Sequence, residues 1–549
     1  MLVYGDRSRT VDPRRALAEI SGLLASRNPD QLTKVLILAG QLAQGLADAE
    51  VLADGRDDVT ELQAAAMQLA VEVARRQFGN RPGEPDAPLT ALRAMRLPAS
   101  IRCKTPEGYA YYAVYPEAYA AAAAEHSWEA PPLVIGLRSI GTSLAAAVAA
   151  VTGGQALSLR PAGPPFQRSI VASDRLKARL AAHQGPFAVV DEGPGLSGSS
   201  FGCVADLLED LGVAPDRISF MPSHGGNLGP QASPRHRTRW ASARRLVRTL
   251  DDLTARDPLP AWFEADVGRV DRAEDLSGGV WRKDWPESAR PPALPSLERR
   301  KMRFRGPSGV YLARFAGLGE DGDAKLERAR ILHEAGFGPE PIALRRGFLL
   351  ERWIDAAGPD LRSRRAWFIH QLANYLAVRR SGFPASAEEG ADLSTLRDMT
   401  LANAASLCGP VVADRLEAPL RRLHWTGSRP VHVDARLHSW EWRHGAGGLR
   451  KLDGLDHSCG HDLIGAQDIL WDVAGAAVEF GLSAAEAAEL ARRLSVDGAC
   501  VGAMAACYAA FQGGLWSLGG GAGQADDPAL KARLAFYRSR LLQLAAQPS

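Results

Sequence analysis

Apolar residues recur at three- and four-residue spacing through "DPRRALAEISGLLASR" and "VTELQAAAMQLAVEVARRQF", which predicts helices across residues 14–79. A Pro/Gly break, "GNRPGEPDAP", closes that region. From about Pro98 to about His224 the pattern changes. "PLVIGL" and "PFAVVDE" are short continuous apolar runs, each followed by a loop of small residues and then a helical periodicity, and "ISFMPSH" reads as the next strand. Strands alternating with helices predict a parallel sheet covered on both faces. Residues 225–298 are rich in Pro, Gly and Arg and read as an extended connection. A second unit then begins: "KMRFRG", "GVYLARFAGLG" and "GFLLERWID" read as strands, "DAKLERARILHEAGFG" as a helix stopped by Gly. After Arg362 the pattern is helical, apart from strand and loop character at 430–456. The expected order is therefore a helical region (1–95), an α/β domain (96–235), a Pro/Arg-rich connection (236–298) and a unit (299–549) with a small β-rich lobe at 299–358 and a larger α-rich lobe at 359–549.

Composition adds exclusions. The chain has 549 residues, 46% hydrophobic and 23% charged, with a net charge of +2. That balance argues against a general nucleic-acid-binding surface. One basic stretch, "RHRTRWASARRLVRTL", is either a helix solvated or packed on an acidic neighbour, or a local nucleic-acid contact. No apolar run reaches the ~18 residues that span a bilayer, so no membrane partner is expected. The six cysteines are scattered without a CxxC pair, and no signal peptide is visible, which predicts a reduced, cytoplasmic protein. Oligomeric state is left open, a homodimer being one option.

The strand "FAVV" delivers Asp191 and Glu192 to its carboxyl end, where open α/β sheets bind ligands. "GPGLSGSS" (193–200) follows, with Gly195 and Gly198 freeing the backbone and Ser197, Ser199 and Ser200 adding hydroxyls. The next helix points its N-terminus at this loop, and such termini attract phosphate. Carboxylates beside a phosphate make sense if they hold something a few ångströms away that needs acceptors, such as sugar hydroxyls. A ribose 5-phosphate satisfies both halves.

These residues resemble the binding motif of type I phosphoribosyltransferases. The resemblance implies that Asp191 and Glu192 hold the ribose 2- and 3-hydroxyls and that 197–200 hold the 5-phosphate. Fifty-three residues before Asp191, "LVIGLRSIGTSL" places Arg138, Ser139, Gly141 and Thr142 where that family holds pyrophosphate. Between them "LRPAGPPFQRSI" (159–170), with Arg160 and Arg168, resembles the mobile loop that closes over pyrophosphate. Phosphoribosyl pyrophosphate, arriving with Mg²⁺, is the implied substrate. The usual Thr-rich loop is replaced here by one carrying Pro194. "KTPEGYAYYAVYPEAY" (104–119) is aromatic-dense, and strand alternation would set several tyrosines on one face, either packing the sheet edge or stacking on a planar acceptor.

A second constellation lies downstream. "RPVHVDARLHSWEW" holds His432 and Asp434 as H-x-D, and Asp453 follows nineteen residues later. One Asp to orient an attacking hydroxyl and a second to hold Mg²⁺ is what phosphoryl transfer requires. The segment resembles aminoglycoside-phosphotransferase-like members of the protein-kinase fold, with Asp472 as their late helix Asp. The resemblance implies ATP as the donor. Arg314 or Lys301 would be the nucleotide-lobe cation, Glu327 its helix partner, and "GFLLERWID", with Glu351, the hinge strand. Ser439, or the adjacent His438, stands where those proteins place a metal-binding Asn. "DHSCGHD" offers His457, Cys459 and His461, which read as neighbours of the Mg²⁺ site rather than a structural zinc centre. The expected fold is thus multidomain α/β plus α+β: a parallel-sheet phosphoribosyltransferase-like domain and a bilobal kinase-like domain, after a helical segment. Two readings follow. One is a bifunctional transferase for small-molecule substrates. The other is a pair of binding modules that sense phosphoribosyl pyrophosphate or a nucleotide, with a degenerate kinase-like domain.

Overall fold

The computed structural model describes residues 8–26, 28–361, 363–425, 429–445, 448–459, 464–519 and 527–547. They divide into two compact units: Ser8–Trp262 with Gly317–Asp321, and Phe263–Ala316 with Gly322 onward.

The N-terminal unit is built on five parallel strands in the spatial order Gln155–Leu159, Leu133–Leu137, Phe187–Val190, Ile218–Met221, Arg244–Arg245. The sequence order is thus 2-1-3-4-5. The two strands where the winding direction reverses, Leu133–Leu137 and Phe187–Val190, are buried at every position. That explains why they read as unbroken apolar runs rather than alternating ones. The helical region does not stand apart as 1–95. Helices Pro29–Asp54 and Glu61–Phe78 pack on each other and on helix Gly141–Thr152, covering one face of the sheet. On the other face lie Leu176, Leu180, Phe201, Val204, Leu208 and Trp240.

The expected connection, 236–298, is not a connection. Helix Pro234–Ser242, capped by Ser233, buries Trp240, which stacks on Phe220 with ring centroids 5.5 Å apart. Its basic side chains face acids: Arg239 bonds Asp206 at 2.7 Å and Glu209, and His236 lies 3.0 Å from Asp206. Arg244–Arg245 then forms the last strand of the parallel sheet. Arg272–Asp275 adds an edge strand to the second unit instead. Pro and Arg content hid these elements, because their stability comes from one buried Trp and from ion pairs rather than from periodicity. Residues 104–119 are also not a strand. Ile101–Lys104 pairs antiparallel with Ser8–Val11, and Glu107–Ala110 and Pro116–Glu125 are helical.

The C-terminal unit opens with an antiparallel sheet ordered Pro341–Arg345, Phe348–Arg352, Gly309–Phe315, Lys301–Gly306, Arg272–Asp275. Helix Glu320–Glu334 lies in the chain between Gly309–Phe315 and Pro341–Arg345. The rest is a helical lobe around a core that includes Phe368, Leu372, Tyr375, Trp442, Trp471 and Tyr508, with the hairpin strands Trp442–Gly445 and Gly448–Lys451 inserted in it. Two helices, Pro29–Asp54 and Gly498–Leu518, are long and apolar enough to cross a membrane by length and composition; 67% and 78% of their apolar windows are buried within the protein, as in core helices. None of the six cysteines, all among the described residues, is in a disulfide.

The turn after Leu133–Leu137 depends on a close backbone approach. A Cβ at Gly136 would meet the Gly141 carbonyl oxygen at 2.2 Å, and one at Gly141 would meet the Val190 carbonyl oxygen at 2.6 Å. Backbone oxygens at those distances cannot step aside as a side chain does. Gly136→Ala is therefore expected to cost about 2 kcal/mol, at the scale of core overpacking. Urea denaturation of the variant beside the wild type measures it.

Candidate functional site

The sequence-predicted site residues gather in two clusters among the described residues, one in each unit. The first lies at the reversal point of the parallel sheet, where ligands of such sheets bind. The loop 138–142 leaves the end of Leu133–Leu137, and the loop 191–198 leaves the end of its neighbour Phe187–Val190. Gly141 lies close enough to the second loop that a Cβ there would come within 3.5 Å of Asp191 Oδ1. Burial pushes the Asp191 carboxyl up to about 7, with the Glu192 amide and Arg160 opposing it. Tyr119 donates a hydrogen bond to the Asp191 main-chain carbonyl at 2.8 Å. The Glu192 carboxylate lies over the turn at Gly108, where a Cβ would meet Oε2 at 2.9 Å. The aromatic segment therefore reaches the acid pair, although through helices. Tyr109, Tyr111, Tyr115 and Tyr119 are buried, and Tyr112 is exposed.

Helix Ser199–Asp210 starts from Gly198, which is left-handed (φ 60°), as is Gly195 (φ 65°). Only glycine adopts that conformation freely. Ser197 and Ser199 are buried; Ser197 Oγ donates to Ser199 Oγ at 2.9 Å and accepts from the Ser199 amide at 3.2 Å. Ser200 is half-buried. In the other loop Ser139 is half-buried, and Thr142 is fully buried with no hydrogen-bond partner for Oγ1 among the described residues.

Arg138 departs from expectation. Its guanidinium is buried away from the loop, 2.7 Å from Asp57 Oδ1 and 3.3 Å from Asp48 Oδ1, with Nε donating to Ser158 Oγ at 3.0 Å. Arg160 also turns inward: Nε donates to Asp48 at 2.9 Å and Nη1 to the Arg138 carbonyl at 2.7 Å. Both arginines neutralise acids carried by the N-terminal helical region, which local sequence could not reveal. Arg168 stays on the surface, donating to the Gly163 carbonyl in a loop closed by the Ala162–Ser169 bridge.

The second cluster forms in the C-terminal unit. Asp434 is fully buried, accepting from the Tyr375 hydroxyl through Oδ2. Asp472, on helix Leu470–Phe480, accepts the amides of Asp434 at 2.8 Å and Ala435 at 3.0 Å, and so fixes the backbone that presents Asp434. His457 lies 3.2 Å from Asp434 Oδ1 through Nδ1 and 3.3 Å from Asp453 Oδ2 through Nε2. One imidazole thus joins the two aspartates that the sequence pattern singled out. The Lys451 ammonium is 3.4 Å from Asp434 Oδ1 and also contacts Glu441 Oε2 and the Asp453 carbonyl. Burial raises a carboxyl pKa, but Lys451 and hydrogen-bonded His457 hold Asp434 far below the usual range. Burial would lower the pKa of His457; the charges of Asp453 and Glu441 and hydrogen bonds to both aspartates carry it up to about 9.

The nucleotide-lobe residues are rearranged. Arg314 ion-pairs with Glu351 at 2.8 Å and with Asp453 Oδ1 at 2.7 Å. Glu351 is therefore a buried counter-ion on the strand beside Arg314 rather than a hinge contact. Glu327 points outward, 3.6 Å from Arg330 on its own helix. Lys325 on that helix is buried and faces inward, 3.3 Å from Asp456. Helical phase decides this: two positions from Lys325, Glu327 falls on the opposite face. Lys301 pairs with Glu298 at 2.6 Å and lies over the Trp281 ring. Ser439 is exposed, and Glu441, two residues on, supplies the acid instead. His438 is buried with Nδ1 3.6 Å from Glu441 Oε1, and its ring also meets Tyr537, Trp440 and Glu479. Cys459 Sγ is 3.6 Å from His432 Nδ1; His461 lies outside the described residues. Sequence reading missed Lys451, Glu441 and Tyr375. The "KLD" of "RKLDGLDH" held a signal for the first, since alternate positions along a strand share a face.

No family model matches the chain, and no curated protein matches it in sequence. Among solved structures it is similar to a choline/ethanolamine kinase family protein from Mesorhizobium loti (18% identity, TM-score 0.33, 45% of this chain and 86% of that one). It is also similar to the choline kinase LicA from Streptococcus pneumoniae (13%, 0.35, 53% and 99%) and to a spectinomycin phosphotransferase in complex with ADP and spectinomycin (10%, 0.37, 53% and 97%).

His457 has its pKa raised from 6.5 to about 9 in the folded protein. Its stabilisation is therefore complete below pH 6.5 and is lost as pH rises through 9. In urea unfolding from pH 6 to 10, the stability difference between wild type and His457→Gln should shrink steadily over that window. A difference that stays constant would show that the imidazolium does not hold the two aspartates.

Proposed function

We propose that the chain is a transferase of phosphorylated small molecules. Its N-terminal unit would transfer ribose 5-phosphate from phosphoribosyl pyrophosphate, and its C-terminal unit is a kinase-like nucleotide-binding unit. The observation that carries the first part is the convergence of two loops, one acidic and one glycine-rich at a helix start, at the reversal point of the parallel sheet. In this reading Asp191 and Glu192 accept from the ribose hydroxyls. The amides at the start of helix Ser199–Asp210 take the 5-phosphate, and the backbone of 138–142, with the unpartnered Thr142 hydroxyl, takes pyrophosphate. Arg138 supports that loop through Asp48 and Asp57 rather than touching the ligand. Departure of pyrophosphate builds oxocarbenium-like charge on the sugar, as in glycoside chemistry, so catalysis here is positioning and anion stabilisation. Mg²⁺ enters as part of the substrate.

The C-terminal unit supports two readings. As a phosphotransferase it would take ATP and a hydroxyl acceptor, with Asp434 orienting the hydroxyl; the joining of Asp434 and Asp453 by one imidazole favours it. As a binding unit it would hold the nucleotide without turnover. That reading is favoured by the donor set, which does not fit a resident Mg²⁺. Each oxygen of Asp453 already faces a fixed cation, Arg314 or His457, and the Lys451 ammonium sits among the remaining carboxylates. No step is therefore routed through a bound metal in this unit.

A screen of acceptors that follows pyrophosphate release by the purified chain tests the first activity. Asp191→Asn with Glu192→Gln should lower phosphoribosyl pyrophosphate affinity at least tenfold by calorimetry, since two acceptors for the sugar hydroxyls are lost. Ligand hydroxyls need the ionised acid, and burial holds Asp191 at about 7. Wild-type affinity should therefore rise with pH from 6 to 8, and the rise should disappear in Asp191→Asn. Full affinity in the double variant would sink the assignment.

A further inference from the structure

Asp434, Glu441 and His457 each offer one ligand atom, and the three atoms lie within 4.8 Å of one another, a spacing able to hold a metal ion. Such a site draws a divalent cation because its carboxylates carry charge that nothing else balances. Here something else does. The Lys451 side chain is buried, its ammonium contacts Glu441 and the Asp453 carbonyl, and it stands 3.4 Å from Asp434. Glu441 and Asp434 are two of the three donors. The neighbouring acid, Asp453, is spanned by Arg314 on one oxygen and His457 on the other. Three carboxylates thus face three fixed cations, and a divalent ion entering would bring an ammonium and a metal into contact. A metal there would meet strong like-charge repulsion from the buried lysine.

We infer that Lys451 is a permanent counter-ion in the place a divalent cation would take between Asp434 and Glu441, and that the C-terminal unit holds its nucleotide without one. The second half rests on the nucleotide-binding reading above; the first half does not. The position on the hairpin makes this possible. Lys451 ends the strand Gly448–Lys451 directly opposite Trp442, and its ammonium lies over that ring at 5.8 Å, so the stem is packed and the charge is aimed. The four-carbon stem carries the ammonium to the acids, whose charges outweigh the cost of its desolvation.

Mn²⁺ alone, titrated into the purified full chain and read by electron paramagnetic resonance, tests the first half. Lys451→Met should bind one more Mn²⁺ per chain than wild type, and Lys451→Arg should bind no more. If Lys451→Met gains no site while its circular dichroism is native, the inference is overturned. Should Lys451→Met fail to fold, wild type and Glu441→Gln decide the matter: equal Mn²⁺ stoichiometry supports the inference, and loss of a site in Glu441→Gln overturns it. Calorimetric titration with ATP in EDTA and in Mg²⁺ tests the second half. Affinities within twofold of each other support it, and affinity at least tenfold higher with Mg²⁺ overturns it. Absence of ATP binding under both conditions would overturn the nucleotide reading itself, leaving the Mn²⁺ result to stand for Lys451.

Discussion

A carboxylate buried in protein keeps its charge only if the fold fixes a cation beside it, because desolvating an isolated ion costs far more than a domain's stability can absorb. Both units obey this constraint where their acids cluster with fixed cations. In the N-terminal unit Asp48 and Asp57 are balanced by Arg138 and Arg160. In the C-terminal unit Asp434, Glu441 and Asp453 are balanced by Lys451, His457 and Arg314. Losing one partner of such a pair typically destabilises by about 3–5 kcal/mol. These pairs therefore lock the loops that carry them.

That locking separates support from chemistry in the N-terminal unit. Arg138 and Arg160 lie in the segments expected to meet pyrophosphate, yet their guanidinium groups tie those segments to helix Pro29–Asp54 and to the turn that follows it. What remains toward the end of the sheet is mainly backbone: the amides of two short loops, two left-handed glycines and the acid pair. Such a surface suits an anion and a diol, since amides converge on phosphate and carboxylates accept from hydroxyls. The guanidinium groups of Arg138 and Arg160 are thus taken up by internal ion pairs.

The C-terminal unit solves the same problem with the opposite consequence. The strand cation is Arg314, paired with Glu351 and Asp453, and the buried charged residue of helix Glu320–Glu334 that meets the neighbouring acid Asp456 is Lys325. Lys325 and Arg299 both reach Asp456. The acids around Asp453 are thus saturated by the protein itself. Asp472 still grips the amides of Asp434 and Ala435, so the geometry of the loop is preserved while its electrostatics are internal.

The sequence by itself determined what depends on local order. Continuous apolar runs marked the buried parallel strands, glycines marked the left-handed turns at 195 and 198, and the helical and antiparallel segments after Lys301 followed from periodicity. It also placed Asp191 beside Asn-free, glycine-rich chain, and Asp434 nineteen residues before Asp453, since these are spacings within one chain. Tertiary structure alone decided which charges meet. Arg138 finds Asp57 across 81 positions, Arg314 finds Asp453 across 139, and His457 closes the gap between two aspartates only because the hairpin folds back. Residues 236–298 became three short α-helices, two edge strands and 3-10 turns, held in part by Trp240 and paired arginines, which have no period to read. Ion pairing is non-local and insensitive to pattern. The chain therefore displays its acids and bases in full, and only the fold determines which of them remain available to a ligand.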